Sequence, residues 1–166
     1  MLRLCSSLFV LVLIVVGWFI RTTTGELGDP VATHFGNGYY ANGWMSRDGY
    51  LAFSLAFSTL LPIAVVGIVG WLPRVAPRSL NLPNKDYWLA PERRDATFAN
   101  VAAYAILLGT LIAIFMAGVH WLILKANAAV PPQLPAQLFW TMLCAFIAAF
   151  LVWIGAFWWK FRNVPG

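Results

Sequence analysis

Four long apolar runs, over residues 4–20, 50–72, 98–124 and 137–159, divide the chain, and polar segments rich in glycine, asparagine or proline separate them. Each run is long enough to cross about 30 Å of hydrocarbon as a helix. Helix is the conformation the pattern predicts, because a single segment in lipid satisfies its own N–H and C=O groups only by coiling. The expected architecture is an all-α integral membrane protein, a four-transmembrane-helix bundle forming a single membrane domain over residues 1–166. An ordered outer loop spans 21–49, a cytoplasmic loop spans 73–97 and leads the chain back into the third span, and a short outer loop spans 125–136. The first run follows Arg3, but it is longer than a signal-peptide core and ends in VVGWFIRTTTG without a small-residue cleavage site. It reads as a retained anchor.

Composition agrees with this pattern. Hydrophobic residues make up 61% of the chain and charged residues 10%, against about 25% charged in a soluble domain. The net charge of +5 is explained by topology, and nucleic acid is not an expected partner. Arg3, Arg74, Arg78, Lys85, Arg93, Arg94, Lys160 and Arg162 fall on one side of the four-span arrangement; Arg21, Arg47 and Lys125 fall on the other. The positive-inside rule then puts both termini and the 73–97 loop in the cytoplasm. Trp18, Trp121 and Trp140 near one boundary, and Trp71, Trp158 and Trp159 near the other, read as interfacial belts. Cys5 and Cys144 are expected toward opposite faces, so no disulfide between them is expected.

The third span carries small residues four apart, at Ala105, Gly109, Ala113 and Ala117, and the fourth carries Thr141, Ala145 and Ala149. Small residues allow close backbone approach, on which helix association in lipid depends. These ridges predict a tightly packed antiparallel pair of the third and fourth spans. Pro62 cannot donate to the Ser58 carbonyl, which predicts a kink there, with Ser54, Ser58 and Thr59 available to freed backbone groups. No Asp, Glu, Lys or Arg lies deep in a span, which disfavours a pump or transporter. His120 is the one titratable candidate, near the outer boundary.

The chemistry-bearing residues lie in the loops. In GDPVATHFGNGYYANGWMSRDGY, glycine and asparagine mark turns, and His34, Phe35, Tyr39, Tyr40 and Trp44 punctuate it. Its imidazole and His120 are both expected outside, but two histidines do not specify a metal site. No metal and no cofactor are expected. On the other face, NLPNKDYWLAPERR places Asn81 and Asn84 around Leu82-Pro83 as a turn and sets Tyr87, Trp88 and Leu89 at the interface. Pro91 suits the first turn of the next helix, Glu92 complements that helix's positive end, and Arg93 and Arg94 hold it at the headgroups. This segment reads as a cap on the cytoplasmic ends of the bundle, open to binding a protein or an anionic lipid as well. No G-x-S-x-G, H-E-x-x-H or phosphate-cradling glycine loop is present, and a non-enzymatic role is expected.

THFGNGYYANGW, with Asp29-Pro30 just upstream, resembles the outer-loop motif of a bacterial membrane domain of unknown function. That domain is found at the N-terminus of SdpI-type immunity proteins. NLPNKDYWLAPERR looks like the cytoplasmic-loop motif of its stand-alone members. The resemblance implies a bacterial cytoplasmic-membrane protein; SdpI-type proteins protect against a secreted toxic peptide and can hold a transcriptional repressor at the membrane. The extra spans that form their second domain have no counterpart in these 166 residues. The matching positions are His34, Phe35, Gly43 and Trp44 outside, and Asn81, Pro83, Asn84, Tyr87, Trp88, Pro91, Glu92 and Arg93 inside. Expected partners are the lipid bilayer, other membrane subunits or a homo-oligomer, and a peptide ligand. The expected role is SdpI-like signalling, immunity or envelope sensing. An accessory subunit of a larger membrane complex is the alternative, and a small transporter a weaker one.

Overall fold

The computed structural model describes residues 2–77 and 80–164; Arg78, one of the basic residues counted above, lies outside the described residues. Helix α1 covers Leu2–Thr23. A hairpin of strands β1 (Val31–Phe35) and β2 (Ala41–Met45) follows. Helix α2 (Arg47–Val66) passes through a π turn over Gly67–Trp71 into the short helix α3 (Leu72–Val75). A one-turn helix α4 (Lys85–Trp88) precedes the long helices α5 (Arg94–Asn127) and α6 (Ala136–Arg162). Four helical segments, Leu2–Glu26, Arg47–Val75, Arg94–Asn127 and Ala136–Arg162, are long and apolar enough to cross a membrane, the mark of a multi-pass membrane protein. Each extends the corresponding apolar run at both ends, because polar residues such as Ser46 can cap a helix that hydrophobicity alone does not delimit. Ser46 Oγ accepts from Gly49 N at 3.2 Å.

The small-residue ridge of α5 is buried, as its spacing implies, but its partners differ from the expected ones. Ala105, Gly109 and Ala113 are buried and Ala117 is partly so. At Gly109 a Cβ would lie 2.6 Å from Val66 Cγ2, 3.1 Å from Phe9 Cε2 and 3.2 Å from the Pro62 carbonyl oxygen. At Gly70, in the π turn, it would lie 2.9 Å from Ala105 Cβ. Glycine therefore permits α5 to sit against α1 and α2, with the small residue supplied by either helix in turn. The predicted tight ridge-to-ridge packing of the third and fourth spans is not formed. Thr141, Ala145 and Ala149 are exposed, and α6 buries Phe161 alone. What meets α5 is the aromatic face of α6. Phe146 stacks on Phe115 with centroids 4.3 Å apart, and Trp153 and Phe157 meet Tyr104 edge to face. Trp153 Nε1 also donates to the Tyr104 carbonyl at 2.9 Å. Large rings fill most of this contact, and Gly118 of α5 admits Met142, whose Sδ would lie 2.5 Å from an added Cβ.

Pro62 does not end α2, which remains helical through it to Val66 before widening into the π turn. Ser58 Oγ donates to the Ser54 carbonyl at 2.6 Å, one turn above the carbonyl that the proline leaves without its usual donor. The belt tryptophans Trp18, Trp71, Trp121, Trp140, Trp158 and Trp159 are all exposed, as lipid-boundary residues should be.

Gly109→Leu is expected to destabilise the protein by about 1–3 kcal/mol through overpacking. Gly155→Ala, where a Cβ meets nothing within 4 Å, should be near neutral. Reversible unfolding in mixed micelles measures both, and equal effects would overturn the assigned α1–α2–α5 contact.

Candidate functional site

Two polar clusters close the two ends of the bundle. At the hairpin end the centre is His120, buried in α5. Its Nε2 lies 2.8 Å from Thr23 Oγ1 of α1, and its Nδ1 lies 2.7 Å from the Tyr50 hydroxyl of α2. The hydrogen-bond directions can be assigned. Thr23 Oγ1 gives its single proton to the Phe19 carbonyl at 2.7 Å, so it accepts from His120 Nε2–H. Nδ1 is then the bare nitrogen and accepts from Tyr50 O–H. Phe19 meets the imidazole edge to face and Tyr50 stacks on it. One side chain thus joins three spans.

The hairpin is fixed above this node. Asn127, in the last turn of α5, accepts from Ala32 N at 2.8 Å through Oδ1 and donates to Ala32 O at 2.9 Å through Nδ2, a two-point clamp near the start of β1. The remaining Nδ2 proton goes to the Ile123 carbonyl at 2.9 Å. Leu27, Val31, Tyr50 and Ile123 form an apolar cluster that takes in Phe35 and Met45. The far side of the hairpin is tied to the short loop before α6. Ala41 N donates to Pro132 O at 3.1 Å and Leu134 N to Tyr39 O at 2.9 Å, and Trp140 Nε1 donates to the Tyr39 hydroxyl at 2.9 Å. The 21–49 segment therefore carries a docked β-hairpin.

The four motif residues of this loop divide by role. Phe35 packs inward. Gly43 lies opposite His34 across the strands, where a Cβ would come within 2.9 Å of His34 Cβ. His34 is exposed, and its Nδ1 pairs with Asn42 Oδ1, which can only accept. Trp44 is exposed, as is Tyr40. His34 and His120 are not brought together: each imidazole has its own partners, one on the surface and one in the core.

At the opposite end, the 81–94 segment caps α6. A helix leaves its last four carbonyls without backbone donors. Here Trp88 Nε1 donates to Phe161 O at 2.7 Å, and Asn84 Nδ2 donates to Arg162 O at 2.8 Å. Asn84 holds a left-handed backbone, with φ 52° and ψ 43°, which asparagine tolerates better than most residues. Leu80, Leu82, Trp88, Phe98, Val101 and Phe161 form the apolar core beneath, and Thr97 Oγ1 donates to the Trp88 carbonyl at 2.8 Å. Pro83 is half-buried beside this core. The guanidinium of Arg93 lies 4.1 Å over the Tyr87 ring, donates from Nε to the Tyr87 carbonyl at 3.1 Å and pairs with Glu92 at 2.7 Å. Pro91 and Glu92 are not in the first turn of the next helix, as the sequence led us to expect. They form a turn ahead of α5, which starts at Arg94, and Asp95 supplies the acidic residue of its first turn. Asn81, Pro91 and Glu92 are exposed.

Sequence reasoning singled out His120 but missed Thr23, Tyr50, Asn42 and Asn127. Thr23 and Tyr50 lie 97 and 70 residues away from it, and nothing local marks them. An asparagine in the last helical turn was the only trace of the Asn127 clamp.

His120→Leu removes the acceptor of the Tyr50 hydroxyl and the donor to Thr23 Oγ1 and is expected to cost about 1–3 kcal/mol. Tyr50→Phe, which deletes one interhelical bond, should cost less, about 0.6–1.7 kcal/mol. Unfolding of both variants and their double mutant measures the coupling; strict additivity would overturn the His120 node. Comparison of the chain with protein families, curated proteins and solved structures returns no match.

Proposed function

We propose that this chain is a non-enzymatic recognition protein of the bacterial cytoplasmic membrane. It engages a protein or peptide through the hairpin end, in an SdpI-like signalling, immunity or envelope-sensing role. The observation that carries this reading is the division within the hairpin motif. Phe35 and Gly43 serve the hairpin itself, while His34 and Trp44 are exposed on a scaffold clamped to α5. Exposed tryptophan and tyrosine beside an imidazole are side chains that anchor protein interfaces, and a rigid display limits the ordering cost of binding. The resemblance of this loop to the SdpI-type motif supports the same reading. The positive-inside rule supports reading the hairpin as outside and the α6 cap as cytoplasmic. The exposed Asn81, Pro91 and Glu92 are the part of the cap left for a cytoplasmic partner.

A photocrosslinking amino acid at Tyr40 is expected to yield discrete protein or peptide adducts in native membranes. His34→Ala with Trp44→Ala should abolish them while changing stability by no more than about 0.5 kcal/mol, because both side chains are exposed. Adducts with lipid alone would overturn the reading.

A second reading, an accessory subunit of a larger membrane complex, is favoured by α6, which buries only Phe161 and leaves Thr141, Ala145 and Ala149 uncovered. Native mass spectrometry of the protein gently extracted from its own membrane separates the two. Stoichiometric foreign subunits would establish the accessory role, and a free chain or homo-oligomer would count against it.

A further inference from the structure

A cavity of about 290 Å³ lies between α2 and α5, directly beneath the hairpin. Thr33 and Met45 come from the two strands above it. Below them Tyr50, Ser54 and Ser58 line the α2 side and His120 the α5 side, and Phe53, Phe57, Met116, Val119 and Ile123 complete an apolar wall. Phe53 and Phe57 stack on each other at 5.4 Å and are 55% and 45% exposed. They belong both to the cavity and to the outer surface of a helix long and apolar enough to span a membrane, so the mouth is continuous with the lipid-facing surface. From Tyr50 to Ser58 the groove runs about 12 Å along the helix axis, at 1.5 Å per residue. Thr33, Tyr50 and His120 lie at its hairpin end, and Phe53, Phe57 and Met116 line the length that points toward mid-membrane, where the Ser58 hydroxyl is satisfied by the Ser54 carbonyl. A lipid in the hairpin-side leaflet has the same orientation and the same order of polarity.

We propose that this cavity binds one hydrocarbon chain of a membrane lipid, with a neutral, hydrogen-bonding head held under the hairpin. The tail lies in the groove between α2 and α5, against Phe53, Phe57, Met116 and Val119. The head sits beside Thr33, Ser54 and Tyr50. A charged head does not fit, because the lining contains no carboxylate, ammonium or guanidinium group. The one imidazole accepts the Tyr50 proton at Nδ1 and so is neutral. An uncompensated charge in such a site is expensive. A hydroxyl-headed single-chain lipid of the monoacylglycerol type meets these requirements. The occupant touches both strands through Thr33 and Met45, which couples lipid occupancy to the hairpin. The proposal stands whether or not the hairpin engages a protein partner.

The test uses the full chain in proteoliposomes containing trace monoacylglycerol with a diazirine in its chain, followed by peptide mapping. Adducts are expected on Phe57, Met116 and Val119 several-fold above those on Ile14, Leu60 and Leu151, which are exposed apolar positions outside the cavity. Excess unlabelled monoacylglycerol should compete the cavity adducts away, and the matching fatty acid, ionised at the working pH, should label them several-fold less. Val119→Trp, which fills the groove, should remove the enrichment. Even labelling of all lipid-facing positions, or labelling that excess lipid does not compete, would overturn the site. Equal labelling by the fatty acid would overturn the neutral head. Should Val119→Trp fail to assemble, the wild-type distribution and its competition decide the matter alone.

Discussion

Hydrocarbon offers no hydrogen bonds, so every polar group carried into the bundle must find its partner within the protein. The His120 node meets this constraint at the hairpin end. Imidazole is suited to it because, when neutral, it has one donor and one acceptor on opposite sides of a rigid ring. Thr23 and Tyr50 take those two sides from two other spans. The Thr23 proton bound to the Phe19 carbonyl fixes the direction of the whole chain of bonds. With α1, α2 and α5 joined there, the small residues Gly109 and Gly70 determine how closely the same helices approach farther along.

The opposite end meets the same constraint by another route. Helix α6 buries only Phe161, and its carbonyl ends need donors. Trp88 and Asn84 supply them, and the Trp88 ring meets Phe161 edge to face at 5.4 Å. The mixed chemistry of NLPNKDYWLAPERR is thereby accounted for. Asparagine serves both as a left-handed turn residue and as a donor, tryptophan as core filler and donor, and arginine as a brace over Tyr87. Much of this motif is structural, which separates it from the hairpin, where half of the motif remains on the surface.

The two proposed sites are neighbours, the clamped hairpin addressed from water and the groove beneath it from the bilayer. They share residues of β1 and β2. Asn127 holds Ala32 of β1, while Thr33 and Met45 of the two strands line the cavity. A ligand at either place would act on the same short element.

The sequence by itself determined the four helices, because a run of apolar residues in a chain with so little charge has only one conformation that satisfies its backbone in lipid. It also marked the loops that carry chemistry and showed that small residues on α5 are there for close packing. Tertiary structure decided which helices that ridge meets, because the spacing of small residues specifies a face and not a partner. The choice fell on α1 and α2, and α6 was left to pack through its rings. Tertiary structure also made His120 a three-helix node and Asn127 a strand clamp. Their partners are distant in the chain, and a lone histidine or asparagine in a sequence carries no record of what it will meet.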